Sequence, residues 1–94
     1  MIQSFADRDT LAVFERKRVR RLPPDIHRRA HRKLLTLHAA NSLEDTNVPP
    51  GNRLHSLEGD RAGQHAIWIN DQWRICFRWH DGNAYDVEIA DYHD

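Results

Sequence analysis

Ninety-four residues, 39% hydrophobic and 30% charged, describe one folded domain rather than a disordered chain, with no length left for a second. Cys76 is the only cysteine, which excludes an internal disulfide and a thiolate metal cluster within one chain. The formal net charge is zero, but residues 1–40 carry 10 Lys and Arg against 4 Asp and Glu, and residues 41–94 carry 4 against 10; this argues against indiscriminate coating of nucleic acid while leaving a basic half that suits phosphate or an acidic partner.

The stretch from Met1 to Arg8 has no apolar core of a signal peptide, and no run approaches the roughly 18 apolar residues of a membrane span. A cytoplasmic protein without membrane contact is expected. Ile2, Ser4 and Phe5 suit a short first strand. Residues 10–18 suit a short helix with Leu11 and Phe14 on one face, broken by Leu22-Pro23-Pro24. A second helix is predicted to start near Pro24-Asp25, because proline is tolerated in the first turn and an early Asp opposes the positive end of the dipole. Ile26, Ala30, Leu34 and Leu37 share its apolar face, and Asn41 is its expected C-terminal cap. Residues 42–52, with Pro49-Pro50-Gly51, read as loop.

The second half reads as strands. They are predicted over 53–57, 66–69, 73–79 and 84–90, with hairpin turns at Asn70-Asp71 and Asp81-Gly82. The third has the clearest alternation: Trp73, Ile75, Phe77 and Trp79 face one way, Arg74, Cys76 and Arg78 the other. In the fourth, Tyr85, Val87 and Ile89 alternate onto one face. Helices followed by antiparallel strands make an α+β fold, and the helices must cover the aromatic sheet face.

Arg74 and Arg78 are four residues apart, roughly 13 Å along a strand. Forked guanidiniums on an open sheet face suit phosphate; the alternative is cross-strand pairing with Asp86 or Glu88. The stretch Asp91-Tyr92-His93 groups a carboxylate, a phenol and an imidazole, which suits RNA cleavage, although a polar tail is the plainer reading. On the second helix Arg28, Arg29, Arg32 and Lys33 lie off the apolar face, as solvated surface or as a contact for RNA or an acidic protein. His27 and His31 have a zinc-compatible spacing, but no His-Glu-x-x-His motif or thiolate supports them, so no metal and no cofactor are expected.

Three blocks in order carry a resemblance. They are Pro50-Gly51-Asn52-Arg53-Leu54-His55-Ser56-Leu57-Glu58-Gly59-Asp60-Arg61-Ala62-Gly63, then Trp68-Ile69-Asn70-Asp71-Gln72-Trp73-Arg74-Ile75-Cys76-Phe77-Arg78-Trp79, then Asp81 through His93. Over nearly its whole length the chain resembles the HigB-like toxins of the RelE/ParE superfamily. The resemblance implies a RelE-like microbial RNase fold, two N-terminal helices on a curved antiparallel sheet. It implies a type II toxin that cuts mRNA in the ribosomal A site, neutralised by a HigA-like helix-turn-helix antitoxin through which alone it reaches operator DNA. Carried over by position, His55, Arg74, Asp91, Tyr92 and His93 are the implied catalytic group. Arg61 and Arg78 are RNA contacts, as are Arg28, Arg29, Arg32 and Lys33 toward ribosomal RNA. Glu58 departs from the family, in which many members carry Lys, and reverses the charge beside a phosphate. A binding module that has lost cleavage and acts with its antitoxin in transcriptional autoregulation is the alternative, and a gyrase-directed toxin a third. The nuclease reading requires guanidinium and tail groups to converge on one open side of the sheet while indoles and phenyls fill the other.

Overall fold

A computed structural model describes residues 1–92. Helix α1 spans Arg8–Phe14 and helix α2 Pro24–Ala39; strands β1 (His55–Ser56), β2 (His65–Trp68), β3 (Trp73–His80) and β4 (Asn83–Asp91) form an antiparallel sheet in the order β1-β2-β3-β4. The fold is α+β. Residues 2–5 are not a full strand. Isolated parallel bridges join Ile2 to Ala84 and Phe5 to Val87, so the segment runs along the free edge of β4.

Helix α1 is shorter than predicted and turned. Asp7 caps it, its side chain accepting from Thr10 N–H at 2.8 Å, and Thr10 and Val13 are buried where Leu11 was expected, with Leu11 38% exposed. Starting the helix at Asp7 rotates its inner face by one residue. Thr10 then reaches β4, where its Oγ1 accepts from Ile89 N–H at 2.9 Å. Thr10→Val keeps the volume and orphans that buried amide, which costs about 1–3 kcal/mol; a urea midpoint lowered with an unchanged slope would show it.

Helix α2 buries Ile26, Ala30, Leu34 and Leu37, the face its spacing defines. It ends at Ala40 in an extended conformation, not at Asn41, whose backbone N–H instead donates to Asp45 Oδ2. The loop that follows is built from two single 3-10 turns, Glu44–Asn47 and Pro50–Asn52, tied by buried Asn52, whose Nδ2 donates to the carbonyls of Thr46 and Val48.

The helices cover one sheet face. Ile67, Ile75, Phe77, Val87 and Ile89 pack there against Leu34, Leu37 and Val13, all at 0–1% exposure. At 25 cal/mol per Å² this face is the main source of stability. The β3–β4 turn, Asp81-Gly82, has φ of 49° and 78°, the pair of positive values that a two-residue type I′ hairpin requires. The β2–β3 turn is wider: Asn70 Oδ1 accepts from the N–H groups of Gln72 and Trp73 and so closes it.

Strand β4 does not alternate throughout. Cys76 pairs with Glu88 and Arg78 with Tyr85, so β4 spends one extra residue between them. That bulge falls at Asp86, whose φ is 53°. It shifts the phase, so Ala84 rather than Tyr85 joins the core with Val87 and Ile89.

Candidate active face

The sheet face away from the helices is set by register. His55 pairs with Ala66, Ala66 with Cys76 and Cys76 with Glu88, so these four form one row across it. Trp68, Arg74 and Ala90 form the next row. Successive residues on a strand alternate faces, so both rows project the same way. Leu57, Ala66, Cys76 and Ala90 make a small apolar floor on this side, and Tyr92, two residues beyond Ala90, packs onto it.

Around that floor stand polar groups. Arg61, from the 3-10 turn Gly59–Arg61, donates from Nη1 to Glu88 Oε1 and Gln64 Oε1, each at 3.1 Å, and its guanidinium carbon lies 5.6 Å from the Tyr92 ring centre. The hydrogen bond to Glu88 holds its pKa above the usual arginine value, so it is a fixed cation. His55 is half-buried, and its Nδ1 lies 2.8 Å from the Arg53 carbonyl oxygen. The structure thus gathers His55, Arg61, Arg74 and Tyr92 on one side of the sheet.

Two expectations need correction. Arg74 is on this side but is not open: it is 3% exposed. Its Nη1 donates to the Asn70 carbonyl at 2.6 Å and the Trp73 carbonyl at 3.4 Å, and its guanidinium carbon sits 3.9 Å from the centre of the Trp68 ring. Trp68 is its direct cross-strand partner, so the indole lies against the guanidinium and seals it. Arg78 is exposed but is no free phosphate fork: its Nε is 3.6 Å from Asp86 Oδ2, and it passes over Gly63. The cross-strand alternative therefore holds for Arg78, while Glu88 is taken by Arg61.

The other sequence candidates divide. Asp91 is exposed and pairs with Trp73, one step out of phase with Ala90 and Tyr92, and its carboxylate accepts from Gln72 Nε2 at 3.2 Å. His93 lies outside the described residues. On α2 the four cations part ways. Arg28 lines a groove with Arg16, Lys17, Arg18, His27 and His31, and Arg32 is exposed on the helix surface. Arg29 and Lys33 turn toward the sheet and line a cleft with Arg53, Trp68 and Asn70. His27 and His31 do not face a common ligand; His27 Nε2 accepts from Val19 N–H, and His31 Nδ1 lies 3.1 Å from the Val13 carbonyl oxygen.

Arg53 and Trp68 were not singled out in the sequence. The signal for Trp68 is arithmetic: a turn that closes Ile69 onto Trp73 places residue 68 opposite residue 74. His65, also unflagged, lies opposite Phe77, 5.9 Å between ring centres, and burial lowers its pKa below 6.5. A lowered folded-state value means the unfolded chain takes up the proton first, so stability contributed above pH 6.5 is lost as pH falls toward the folded value. His65→Gln should flatten that acid-side loss in urea midpoints compared between pH 7.5 and pH 5.

A small α+β protein whose helix-free sheet face gathers guanidinium, imidazole and phenol is suited to act on a phosphodiester. The family profile described as the RelE-like toxin of type II toxin-antitoxin system HigB matches residues 3–93. Toxin HigB-1 of Vibrio cholerae serotype O1 is 44% identical over 73 residues, covering 78% of this chain and 77% of that protein. Endoribonuclease HigB of Proteus vulgaris is 31% identical over 93 residues, covering 99% and 100%. The chain belongs to the HigB-like toxin family.

Proposed function

We propose that this protein is an endoribonuclease that cuts mRNA in the ribosomal A site and so arrests translation. In this reading residues 1–94 act as one toxin domain of the curved RelE-like RNase fold in the cytoplasm. A HigA-like helix-turn-helix antitoxin holds it inactive and carries it to operator DNA. One observation carries the chemistry: strand register sets His55, Arg74 and Tyr92 on one side of the sheet, with Arg61 fixed beside Tyr92.

Cleavage needs no cofactor in this scheme. The ribose 2′-oxygen attacks the adjacent phosphorus, the new O2′–P bond forms and the P–O5′ bond breaks, leaving a 2′,3′-cyclic phosphate and a 5′-hydroxyl. A base takes the 2′ proton and an acid returns one to O5′. His55, Tyr92 and His93 supply those groups as a distributed set, while Asp91, out of phase with Tyr92, stays outside it. Arg61 and Arg74 offset the charge that builds on the phosphorane. Arg78, Arg28 and Arg32 contribute longer-range attraction to RNA, which makes ribosome binding salt-dependent.

The test is to map mRNA 5′ ends after induced expression and in a purified system with and without ribosomes. New ends that need both toxin and ribosome support the reading; intact mRNA during arrest refutes it. The sealing of Arg74 beneath Trp68 favours a second reading, a non-cleaving module that acts with its antitoxin in autoregulation. Expression without growth arrest, together with antitoxin-dependent operator binding, would support it.

Glu58 stands exposed at the start of the 3-10 turn that carries Arg61. Glu58→Lys replaces repulsion of a phosphate by attraction. The expected result is ribosome binding tightened by roughly 5–10-fold at low salt, with the gain shrinking as salt rises. Co-sedimentation with ribosomes at two ionic strengths measures it.

A further inference from the structure

Beside the active face, Arg29, Lys33, Pro49, Gly51, Arg53, Trp68, Ile69 and Asn70 enclose a cleft of ≈ 320 Å³. Three of these residues are cations, and no carboxylate stands among the described residues lining it. Arg53 is held there by an unusual backbone. Its φ and ψ of 51° and 50° place it in the left-handed region, which arginine rarely adopts. That conformation follows the Pro50–Asn52 turn and brings the guanidinium carbon to 4.1 Å from the centre of the Trp68 ring.

Arg74 lies 3.9 Å from the same centre. Two guanidiniums this close to one centroid must lie on opposite faces of the indole, since on one face they would overlap. Trp68 is therefore a wall with Arg74 on its active-face side and the cleft on the other. On the far wall Lys33 Nζ donates to Asn52 Oδ1, which fixes the ammonium. Burial and the nearby charges of Arg29 and Arg32 lower the Lys33 pKa, which records positive potential that an anion would relieve.

We propose that this cleft, formed by Arg29, Lys33, Arg53 and Trp68, is a subsite for a backbone phosphate of single-stranded RNA next to the one being cut. It rests on the nuclease reading and deepens it. The cleft and the active face share one ring, so a strand lying over Tyr92 and Arg74 passes the edge of Trp68 and delivers its next phosphate to Arg53. Guanidinium forks and a fixed ammonium match phosphate oxygens. A protein carboxylate is the rival occupant, and the test separates the two.

The experiment is a ¹H–¹⁵N titration of the whole protein with a 2′-O-methyl RNA tetranucleotide, which cannot be cleaved, and in parallel with a tetraglutamate peptide. RNA is expected to move the Trp68 indole signal and the Arg53 and Asn70 amides. Arg29→Glu, an exposed position whose exchange leaves the core untouched, should abolish those shifts. With Arg29→Ala the slope of log affinity against log salt should fall by about 0.7, the loss of one phosphate contact on a single strand. RNA that leaves the cleft signals unmoved, tetraglutamate that moves them while RNA does not, or shifts unaltered in both Arg29 variants would each overturn the proposal. The readout is binding alone, so it stands or falls apart from cleavage, which the 5′-end mapping judges.

Discussion

Arg74→Ala is expected to lower RNA cleavage by roughly 10²–10³-fold, the usual cost of removing one preorganised group that offsets developing charge. Trp68 is what holds Arg74 in place. A guanidinium pinned by the Asn70 carbonyl and an indole face has little freedom left, so its charge is fixed beneath the face and acts on a distorting phosphate through its field rather than by open contact. Its low exposure also means that the truncation removes packing, so the variant's urea midpoint must be measured beside its activity. Arg74→Lys separates the two roles. Lysine retains charge but not the planar stack, and activity well below wild type at similar stability would show that the fork matters. Cleavage at the wild-type rate in a folded Arg74→Ala protein would make Arg74 a structural residue only.

The largest stability effect belongs to Phe77→Ala. Phe77 is fully buried at the centre of β3, between β2 and β4 and under the helices. Its loss should cost about 3–5 kcal/mol, from transfer and from the cavity left behind. A domain of this size has about 5–15 kcal/mol in total. With about 4–8 °C lost per kcal/mol, the melting temperature should drop by well over 10 °C. A fall of only a few degrees, followed by calorimetry, would mean that the surrounding side chains collapse into the space.

These two residues also show what the sequence could and could not reveal. Alternation along Trp73 to Trp79 placed Phe77 inside and Arg74 on the opposite side, because period two needs nothing beyond the strand itself. The lid on Arg74 was hidden, since it comes from another strand and depends on the span of the β2–β3 turn. The apolar face of α2 was legible for the same reason as β3. The face of α1 was not: capping at Asp7 set its phase, and Thr10 was drawn inward by the Ile89 amide. The bulge at Asp86 escaped as well, because the residue that takes positive φ there carries no glycine to announce it. The family blocks pointed to residues on the helix-free side of the sheet. They did not show that Asp91 falls out of phase with Tyr92, which only register decides.

Ile2 and Phe5 find their partners at Ala84 and Val87, across most of the chain. During synthesis these early residues must wait, because the strand they lie beside is among the last to emerge. Contacts so distant in sequence close late and slow the approach to the native state. The side of the sheet that gathers the reactive groups is completed by that same strand, through Glu88, Ala90 and Tyr92. That face therefore exists only once residue 92 has been added and the chain can close on itself.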